Sequence, residues 1–412
     1  MPSTLSASPT IDRVLRGELC TGCGLCAALA EGSIDMRSVS PGYNRPELKG
    51  PITAEAEAAI AEACPGSRVQ PWTGVAADVD PYWGPWRSVL VGSATDAATR
   101  FEGSSGGAIS GLLAYALKTG QIDRVVHIAA DPEAPTRNAV VVSRSLDEIV
   151  RRAGSRYTAS SPLAQIGEAL NEGGAMAFVG KPCDVSALRR LAGVDSRVDR
   201  HVKLMLSFFC AGIPSHDGVH RILAEMQLDP NSVTAFRYRG QGWPGYCVAE
   251  TGDGRKVEMT YARSWGDHLS KEVQFRCKIC PDAVGGAADV ACADAWYGDE
   301  AGYPAFEEAD GRSLIIARSV VGEELVRAAM AAGALEAEPL PLSEIEKMQP
   351  GQARRKRLVL ARTASLPLAL QPIPDMRGLK IPRAARAAPP REAVQNFLGT
   401  LRRTLQGRRS RL

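Results

Sequence analysis

Short apolar runs and amphipathic stretches alternate through the middle of the chain. The apolar runs, which are typical of buried strands, lie at 88–92, 125–129, 139–142, 174–179, 202–209 and 313–317. Stretches with helical periodicity lie between or after them, at 108–117, 184–191 and 321–331. A regular alternation of strands and helices predicts an α/β (α+β) domain built on a mixed sheet.

Two regions depart from this alternation. Residues 233–260 carry shorter, Gly-rich runs that are typical of β-structure. Near the C-terminus, one face of a predicted helix carries Val394, Phe397, Leu398, Leu401 and Leu405, with Arg402, Arg403, Arg408 and Arg409 around it. A basic amphipathic helix can lie on an anionic membrane or dock on an acidic partner, and a helix folded back on the protein body is the alternative.

The composition is that of an ordinary globular protein. The 412 residues are 45% hydrophobic and 23% charged, which is enough for a large core and a smaller module. No run of about 18 apolar residues is present, so no transmembrane helix is expected. Residues 1–13 are rich in Ser, Thr and Pro and lack the apolar centre of a secretion signal. We therefore expect a cytoplasmic protein whose residues 1–17 are disordered.

The net charge of +3 conceals an uneven distribution. Residues 351–412 contain 15 Lys and Arg against Asp375 and Glu392, a balance of +13, so the rest of the chain carries about −10. This division predicts a basic tail, at 341–412, with a partner of its own. The tail has no interleaved aromatic residues and no recognisable nucleic-acid fold, so binding to nucleic acid is not expected.

The N-terminal cysteines predict an iron–sulfur module. Cys20, Cys23 and Cys26 form a Cys-x-x-Cys-x-x-Cys run, the spacing that wraps one corner of a [4Fe–4S] cluster. Cys64, which a proline follows, supplies the fourth thiolate in the form that bacterial ferredoxins use. A structural zinc site is the alternative, although such sites usually show two separated pairs.

A second Cys-x-x-Cys pair, Cys277 and Cys280, needs further ligands to complete a metal site. Cys183 and Cys210 each follow an apolar run, and parallel strands deliver the residues at their ends to one edge of a sheet. We interpret these four cysteines as a second [4Fe–4S] site. Two cysteines remain. Cys247 is predicted to be a buried apolar residue, and Cys292 is kept as a substitute ligand.

Ser105, Gly106 and Gly107 stand directly before the predicted helix at 108–117. Small residues at a helix start can bring backbone N–H groups close to a phosphate, and a simple turn is the alternative. The segment that contains Arg156 and Tyr157 is polar and joins a cation to an aromatic ring. An exposed loop is the alternative there.

Together these stretches resemble the coenzyme F420 hydrogenase/dehydrogenase beta-subunit family. The segments that carry the resemblance are Ser105-Gly106-Gly107, Gly154-Ser155-Arg156-Tyr157, Pro182-Cys183, Phe209-Cys210, Arg276-Cys277-Lys278-Ile279-Cys280 and Ala288-Asp289-Val290. They occur in the order typical of the family and cover roughly 88–338. An arginine, Arg156, stands where the family usually has a lysine, and the long basic tail is a further departure.

The resemblance implies FAD and a [4Fe–4S] cluster in a flavin-binding domain at 88–340. Ser105, Gly106, Gly107, Arg156 and Tyr157 would contact the flavin. The ferredoxin-like module at 18–72, followed by a linker at 73–87, is similar to that of tetrapyrrole-reducing relatives. These are 7-hydroxymethyl chlorophyll a reductase and ferredoxin-dependent divinyl chlorophyllide reductase.

The functional hypothesis is an iron–sulfur flavoprotein oxidoreductase with two [4Fe–4S] clusters and FAD. It would pass electrons from ferredoxin or a similar donor to a small organic acceptor, such as coenzyme F420 or another molecule. A non-catalytic electron-transfer subunit is the alternative, and a protein with two zinc sites is a third. The sequence indicates no catalytic residue, no substrate and no direction of electron flow.

Overall fold

The N-terminal segment folds as a small layer of helices and short strands. The structure, a computed structural model, describes residues 4–5, 7–72, 78–296 and 309–407. The first elements are β1 (Thr4–Leu5), α1 (Pro9–Arg16), α2 (Leu25–Leu29), β2 (Ile34–Val39), β3 (Tyr43–Leu48), β4 (Ile52–Thr53) and α3 (Ala54–Ala63). Strand β2 pairs with β3, and β1 with β4, all antiparallel.

The expectation of a disordered N-terminus is wrong for residues 9–16, which form α1. Ser8 caps this helix by accepting a hydrogen bond from the Ile11 N–H, and Pro9 occupies the first helical position, where its missing N–H is harmless. Ile11 and Val14 are buried. The Ser- and Pro-rich composition of this stretch reflects a helix cap, and two apolar side chains hold the helix on the protein.

The region predicted as a linker, 73–87, is partly folded. Strands β5 (Asp78–Asp80) and β6 (Gly84–Trp86) form an antiparallel hairpin. Trp83 in its turn is 3% exposed and stacks on Phe209 with ring centroids 6.1 Å apart. Residues 73–77 lie outside the described residues. Burial of an aromatic ring of this size explains why the hairpin is fixed to the protein.

An eight-stranded mixed sheet forms the centre of the molecule, as predicted. The strands that follow the hairpin are β7 (Ser88–Ala94), β8 (Arg124–Ala130), β9 (Asn138–Ser143), β10 (Met176–Gly180), β11 (Val202–Phe208), β12 (Val233–Arg237), β13 (Tyr246–Thr251), β14 (Lys256–Thr260), β15 (Val290–Asp294), β16 (Ser313–Ala317) and β17 (Leu335–Pro339). The order in the large sheet is β17-β7-β16-β15-β11-β10-β8-β9. Its centre, β8, β10, β11 and β15, is parallel, and the outer strands pair antiparallel.

The helices of this domain cover the sheet and connect its strands. They are α4 (Ala97–Glu102), α5 (Ala108–Lys118), α6 (Leu146–Arg151), α7 (Ile166–Asn171), α8 (Pro182–Leu191), α9 (Arg197–His201), α10 (His216–Glu225), α11 (Tyr261–Arg263), α12 (Phe275–Lys278) and α13 (Val320–Ala331). Single turns of 3₁₀-helix lie at Pro230–Ser232, Leu269–Glu272, Leu342–Glu344 and Pro367–Ala369, and a π-helical turn lies at Ser264–His268. The predicted Gly-rich β region forms a separate antiparallel sheet, β12-β13-β14.

The basic tail is part of the folded body. Its helices are α14 (Ile345–Met348), α15 (Pro350–Ala364), α16 (Ile381–Ala385) and α17 (Pro390–Leu405). Ile345, Met348 and Val359 have no exposed surface and share a core with Trp72 and Val89. The segment after the predicted boundary at 340/341 is therefore not an independent tail, because its apolar residues complete the core on one side of the sheet.

The last helix exposes part of its predicted apolar face. Val394, Leu398 and Leu405 are 58%, 56% and 66% exposed, whereas Thr400 and Thr404 are buried. The helix thus forms where the sequence predicts it, but it presents its threonines to the protein. Arg408 and Arg409 lie outside the described residues. Within the part of the chain that the structure describes, no helix combines the length and the apolar character of a membrane span.

Candidate functional site

The structure brings the four N-terminal cysteines together. Cys20, Cys23, Cys26 and Cys64 line one small cavity between α2 and α3. Cys20 and Cys23 are buried, and Cys26 and Cys64 are partly buried. The Gly22 N–H lies 3.4 Å from the Cys20 sulfur, so backbone donors also reach this space. The fold therefore brings together the four cysteines that the sequence analysis grouped.

Two glycines shape the loop that carries this triplet. Gly22 and Gly24 have φ of 77° and 87°, the left-handed region that other residues adopt with difficulty. A Cβ on Gly24 would also meet the Ala164 backbone nitrogen at 2.8 Å. The loop is fixed from the same side, because the Leu163 N–H donates to the Cys23 carbonyl at 2.9 Å. The segment around 161–164, which belongs to the central domain, thus holds the triplet in place.

Burial opposes ionisation of three of these thiols, Cys23, Cys26 and Cys64. It raises the pKa of Cys64 to about 11, with the neighbouring Cys20 adding to the rise. It also raises the pKa of Cys23 and of Cys26, and other thiols of the group raise both further. A metal centre that takes thiolate ligands must therefore displace these protons as it binds.

The second set of cysteines converges from three distant parts of the chain. Cys183 lies in the first turn of α8, three residues beyond the end of β10, and Cys210 lies two residues beyond the end of β11. Cys277 belongs to α12, and Cys280 follows it. Burial raises the pKa of Cys210 to about 12, and the nearby Cys277 and Cys280 contribute. Cys210 and Cys277 likewise add to the raised pKa of Cys183.

Cys247 and Cys292 lie outside both groups. Cys247 is fully buried in the core beneath the three-stranded sheet, as predicted. Cys292 lies in β15, and burial raises its pKa to about 12 while Arg318 opposes the rise. Across the described ranges, no three His, Cys, Asp or Glu residues come close enough to hold a single metal ion. A [4Fe–4S] cluster spreads its thiolates over a wider space than one ion does.

A cavity of about 280 Å³ opens beside the second cysteine group. It lies at the carboxyl ends of the parallel strands, the place where open α/β sheets bind ligands. Its lining includes Ser105, Gly107, Arg156, Tyr157 and Cys210. Four of the five residues predicted to contact flavin therefore share one cavity with a predicted cluster ligand.

The fifth of these residues, Gly106, lies behind the cavity wall. Its N–H donates to the Ser313 hydroxyl at 3.0 Å, and its carbonyl accepts from the Ala94 N–H at 2.7 Å. Gly107 has φ of 69° and starts α5, and a Cβ there would meet the Thr99 carbonyl at 2.7 Å. The loop therefore needs both glycines for its own packing as well as for access to a ligand.

Arg156 is engaged by the protein itself. Its Nη2 donates to the carbonyls of Pro135 and Arg137, at 2.6 and 2.7 Å, and its Nη1 to that of Phe236 at 2.7 Å. Its Nε donates to Asn138. These bonds hold the cavity loop, and the predicted flavin contact of Arg156 stays a prediction.

Family models match most of the central domain. Residues 89–166 match the model described as "Coenzyme F420 hydrogenase/dehydrogenase, beta subunit N-term". Residues 173–342 match the companion model, which describes the C terminus of the same coenzyme F420 hydrogenase/dehydrogenase beta subunit. The chain belongs to this beta-subunit family. The N-terminal cysteine group and helices α14 to α17 lie outside the matched residues.

Relatives of this family cover much of the chain at low identity. The coenzyme F420 hydrogenase subunit beta of Methanococcus voltae is 26% identical over 300 residues, which span 69% of this chain and 99% of that protein. The coenzyme F420-dependent sulfite reductase of Methanocaldococcus jannaschii is 26% identical over 278 residues, 63% of this chain and 39% of the reductase. These relatives support a role in oxidoreductase electron transfer. The resemblance to tetrapyrrole reductases stays a prediction.

The fold has a counterpart among solved structures. A chain of the F420-reducing [NiFe] hydrogenase complex from Methanosarcina barkeri superposes with a TM-score of 0.50 at 23% identity. The match covers 69% of this chain and 96% of that one. It shows that the mixed sheet and its helices follow the architecture of this hydrogenase chain.

Sequence reasoning missed an ion pair in the family domain. The Lys181 ammonium lies 2.7 Å from Asp184 Oδ2 and donates to the Ser160 hydroxyl at 3.0 Å. All three residues line the large cavity, and Asp184 Oδ1 is buried without a hydrogen-bond partner. The capping arrangement Lys-x-x-Asp at the start of α8 was a visible signal, because the Lys181 N–H donates to Asp184 Oδ2.

An aromatic wall closes one side of the same cavity. The rings of Tyr157 and Trp265 lie with centroids 5.1 Å apart, and both residues line the cavity. At another point of the lining, the Arg239 guanidinium makes two bonds to the carboxylate of Asp294, of 2.7 and 3.1 Å. Apolar ring faces together with a few buried polar groups are what a flat heteroaromatic ligand requires.

Proposed function

We propose that the protein is an iron–sulfur flavoprotein oxidoreductase with two [4Fe–4S] clusters and FAD. The observation that carries the proposal is the placement of Cys210. It belongs to the second cysteine group and also lines the cavity that contains Ser105, Gly107 and Tyr157. A ligand in that cavity would lie beside the second cluster, as electron exchange requires.

The residues present fit these groups. Each cysteine set offers four thiols in a buried space, which is the donor set of a [4Fe–4S] cluster. Thr21 Oγ1, on the first loop, is buried without a partner, and so is Asp184 Oδ1 at the cavity. Buried polar atoms of this kind usually have a partner, and a bound group can provide one. When bound, clusters supply one-electron transfer and a flavin couples it to two-electron chemistry.

The protein's own side chains would bind and orient these groups and exclude water from them. Cys20, Cys23, Cys26 and Cys64 would hold the first cluster, and Cys183, Cys210, Cys277 and Cys280 the second. Tyr157 and Trp265 would face the flavin ring. The buried pair of Lys181 and Asp184 would supply charge and hydrogen bonds at the cavity floor. The acceptor would be a small organic molecule, with coenzyme F420 as one candidate suggested by the names of the relatives.

A protein electron carrier, ferredoxin or a similar donor, is the partner that the tail favours. Arg362 donates to the Lys278 carbonyl at 2.7 Å. Burial, together with the nearby Arg403 and Arg362, lowers the pKa of Lys278 to about 8. We call Lys278, Arg362 and Arg403 the basic cluster. Since Lys278 lies between Cys277 and Cys280, an acidic carrier docked there would reach the second cluster site.

A non-catalytic electron-transfer subunit is the second candidate. It is favoured by the full-length match to a hydrogenase subunit, since 99% of the Methanococcus voltae protein aligns with this chain. Such a subunit would exchange electrons with a partner enzyme, and the isolated chain would convert no small molecule.

Anaerobic purification with quantitation of iron, sulfide and flavin tests the proposal. We expect about eight iron atoms, about eight sulfides and about one FAD per chain. Protein that binds zinc and no flavin would contradict it. Turnover of an organic acceptor by the isolated, reduced chain would then separate the oxidoreductase from the electron-transfer subunit.

A further inference from the structure

The two cysteine groups are separated by a single short segment of the chain. Phe275 and Ile279, 4% and 0% exposed, pack in one apolar cluster with Cys20 of the first group. Cys64 lies against the same cluster. The same segment carries Cys277 and Cys280 of the second group. The wall between the two proposed cluster sites is therefore α12 and the residues that follow it.

Arg276 lies within this wall. Its side chain is buried, at 2% exposure, and its Nη2 donates to the carbonyl of Pro65 at 3.1 Å. Pro65 directly follows Cys64. The remaining donors, Nε and Nη1, are buried and have no hydrogen-bond partner.

The charge of Arg276 lies next to both groups. Arg276 directly precedes Cys277 in the chain, and its bond to the Pro65 carbonyl holds it beside Cys64. A guanidinium with unpaired donors is costly to bury unless an anionic group accepts from it. Clusters with four thiolate ligands carry net negative charge and have sulfur acceptors.

We infer that Arg276 is a shared positioning residue that lies between the two clusters and sets both of their reduction potentials. The inference rests on the proposed function, since it requires both clusters. A nearby positive charge stabilises the more negative, reduced state of a cluster, and hydrogen bonds to its sulfurs act in the same direction. Removing the Arg276 charge should therefore make both potentials more negative.

Potentiometric titrations followed by electron paramagnetic resonance test this role. In Arg276→Gln both midpoint potentials should fall while the iron content stays at the wild-type value. Arg276→Lys keeps the charge but loses the planar donors, and its two potentials should lie between those of the wild type and Arg276→Gln. Lys278→Gln is the matched control, because Lys278 lies between Cys277 and Cys280 and outside the apolar cluster that contains Cys20, so it should shift only the second potential.

Two results would overturn the inference. One is a pair of unchanged potentials, and the other is a shift confined to one cluster, in an Arg276 variant that retains full iron. If Arg276→Gln loses iron, the two midpoint potentials of Arg276→Lys are judged by the same criteria instead. Wild-type protein with one cluster or none would instead refute the proposed function, so the two failures are distinguishable by iron analysis.

Discussion

Arg355 in the tail donates from Nη1 to the carbonyl of Cys210 at 2.8 Å. Its Nη2 donates to the next carbonyl, that of Ala211, at 2.6 Å. A basic residue from outside the matched family domain thus fixes the backbone of a proposed cluster ligand. The bonds are charge-assisted and partly buried, which makes them stronger than most surface contacts.

Removal of this side chain should weaken the second cluster site. We expect Arg355→Ala to lower the free energy of unfolding by about 1–3 kcal/mol, because two carbonyls lose a charged donor. Iron should be lost faster from the same variant. The adjacent Arg354→Ala is the control, since Arg354 is exposed and pairs with Glu392 at the surface. Equal stability of the two variants in denaturant titrations would contradict the role given to Arg355.

Each cysteine group should account for about half of the bound iron. Cys23→Ser should remove the first half and leave the flavin bound, and Cys210→Ser should remove the second half. Cys247→Ala is the control, because Cys247 is buried in a core away from both groups. Iron and flavin analysis of the anaerobic proteins provides the measurement. Full iron content in Cys23→Ser would show that the first group holds no cluster.

Filling the large cavity should expel the flavin. Ser110 lines the cavity from α5 without taking part in the glycine turn, so Ser110→Trp adds a ring where the flavin should bind. Flavin absorbance should fall by at least about tenfold, since the ring occupies the ligand's volume. Lys118→Trp places the same ring on the exposed end of the same helix and should retain flavin. Unchanged flavin content in Ser110→Trp would place the flavin elsewhere.

Charge removal in the basic cluster should slow reduction by an acidic carrier. Arg403→Gln should lower the second-order rate of reduction by a reduced acidic ferredoxin by about three- to tenfold at low salt. The difference should shrink as salt screens the charges. Arg383→Gln, an exposed arginine on α16, is the matched control. Stopped-flow rates that are the same for both variants would exclude docking at the basic cluster.

His127 should make the protein sensitive to mild acid. Its Nε2 lies 2.7 Å from the Ser143 hydroxyl, and burial, aided by Arg152, lowers its pKa from 6.5 to about 4. Between these pH values the unfolded chain takes up a proton that the folded protein does not. Stability is therefore lost as the pH falls below about 6.5, by up to about 1–3 kcal/mol. His127→Gln should lose less stability between pH 7.5 and 5.5 in thermal melts, and equal losses would contradict this account.

The cysteine groups could be proposed from the sequence because local spacing and sheet geometry determine where these residues lie. The triplet of Cys20, Cys23 and Cys26 is a local motif, and two glycines with positive φ shape its loop. Cys183 and Cys210 could be paired from a distance because β10 and β11 are parallel neighbours. Parallel strands bring their carboxyl ends to one edge whatever the length of the connection.

The role of the tail could not be predicted from its pattern. Lys356 is buried, lies 3.6 Å from the Trp72 ring centroid and donates to the Pro281 carbonyl. From the sequence alone, a lysine in a basic segment is expected to face solvent. The sequence does not reveal which backbone carbonyls of the folded protein lack a donor and could accept a hydrogen bond from it. The sequence also left open which face of α17 packs on the protein. Thr400 and Thr404 are buried, whereas Leu398 and Leu405 are exposed.

The bond from the Leu163 N–H to the Cys23 carbonyl has a kinetic consequence. Ser161 adds a second tie, donating to the Gly22 carbonyl at 2.9 Å, and Ser160 and Pro162 in the same segment line the large cavity. These two bonds fix the N-terminal module against the central domain. Electron transfer between the two cysteine groups would then require no movement of one domain relative to the other. Raising the solvent viscosity with glycerol should therefore slow the binding of an electron carrier and leave the rate of internal electron transfer unchanged.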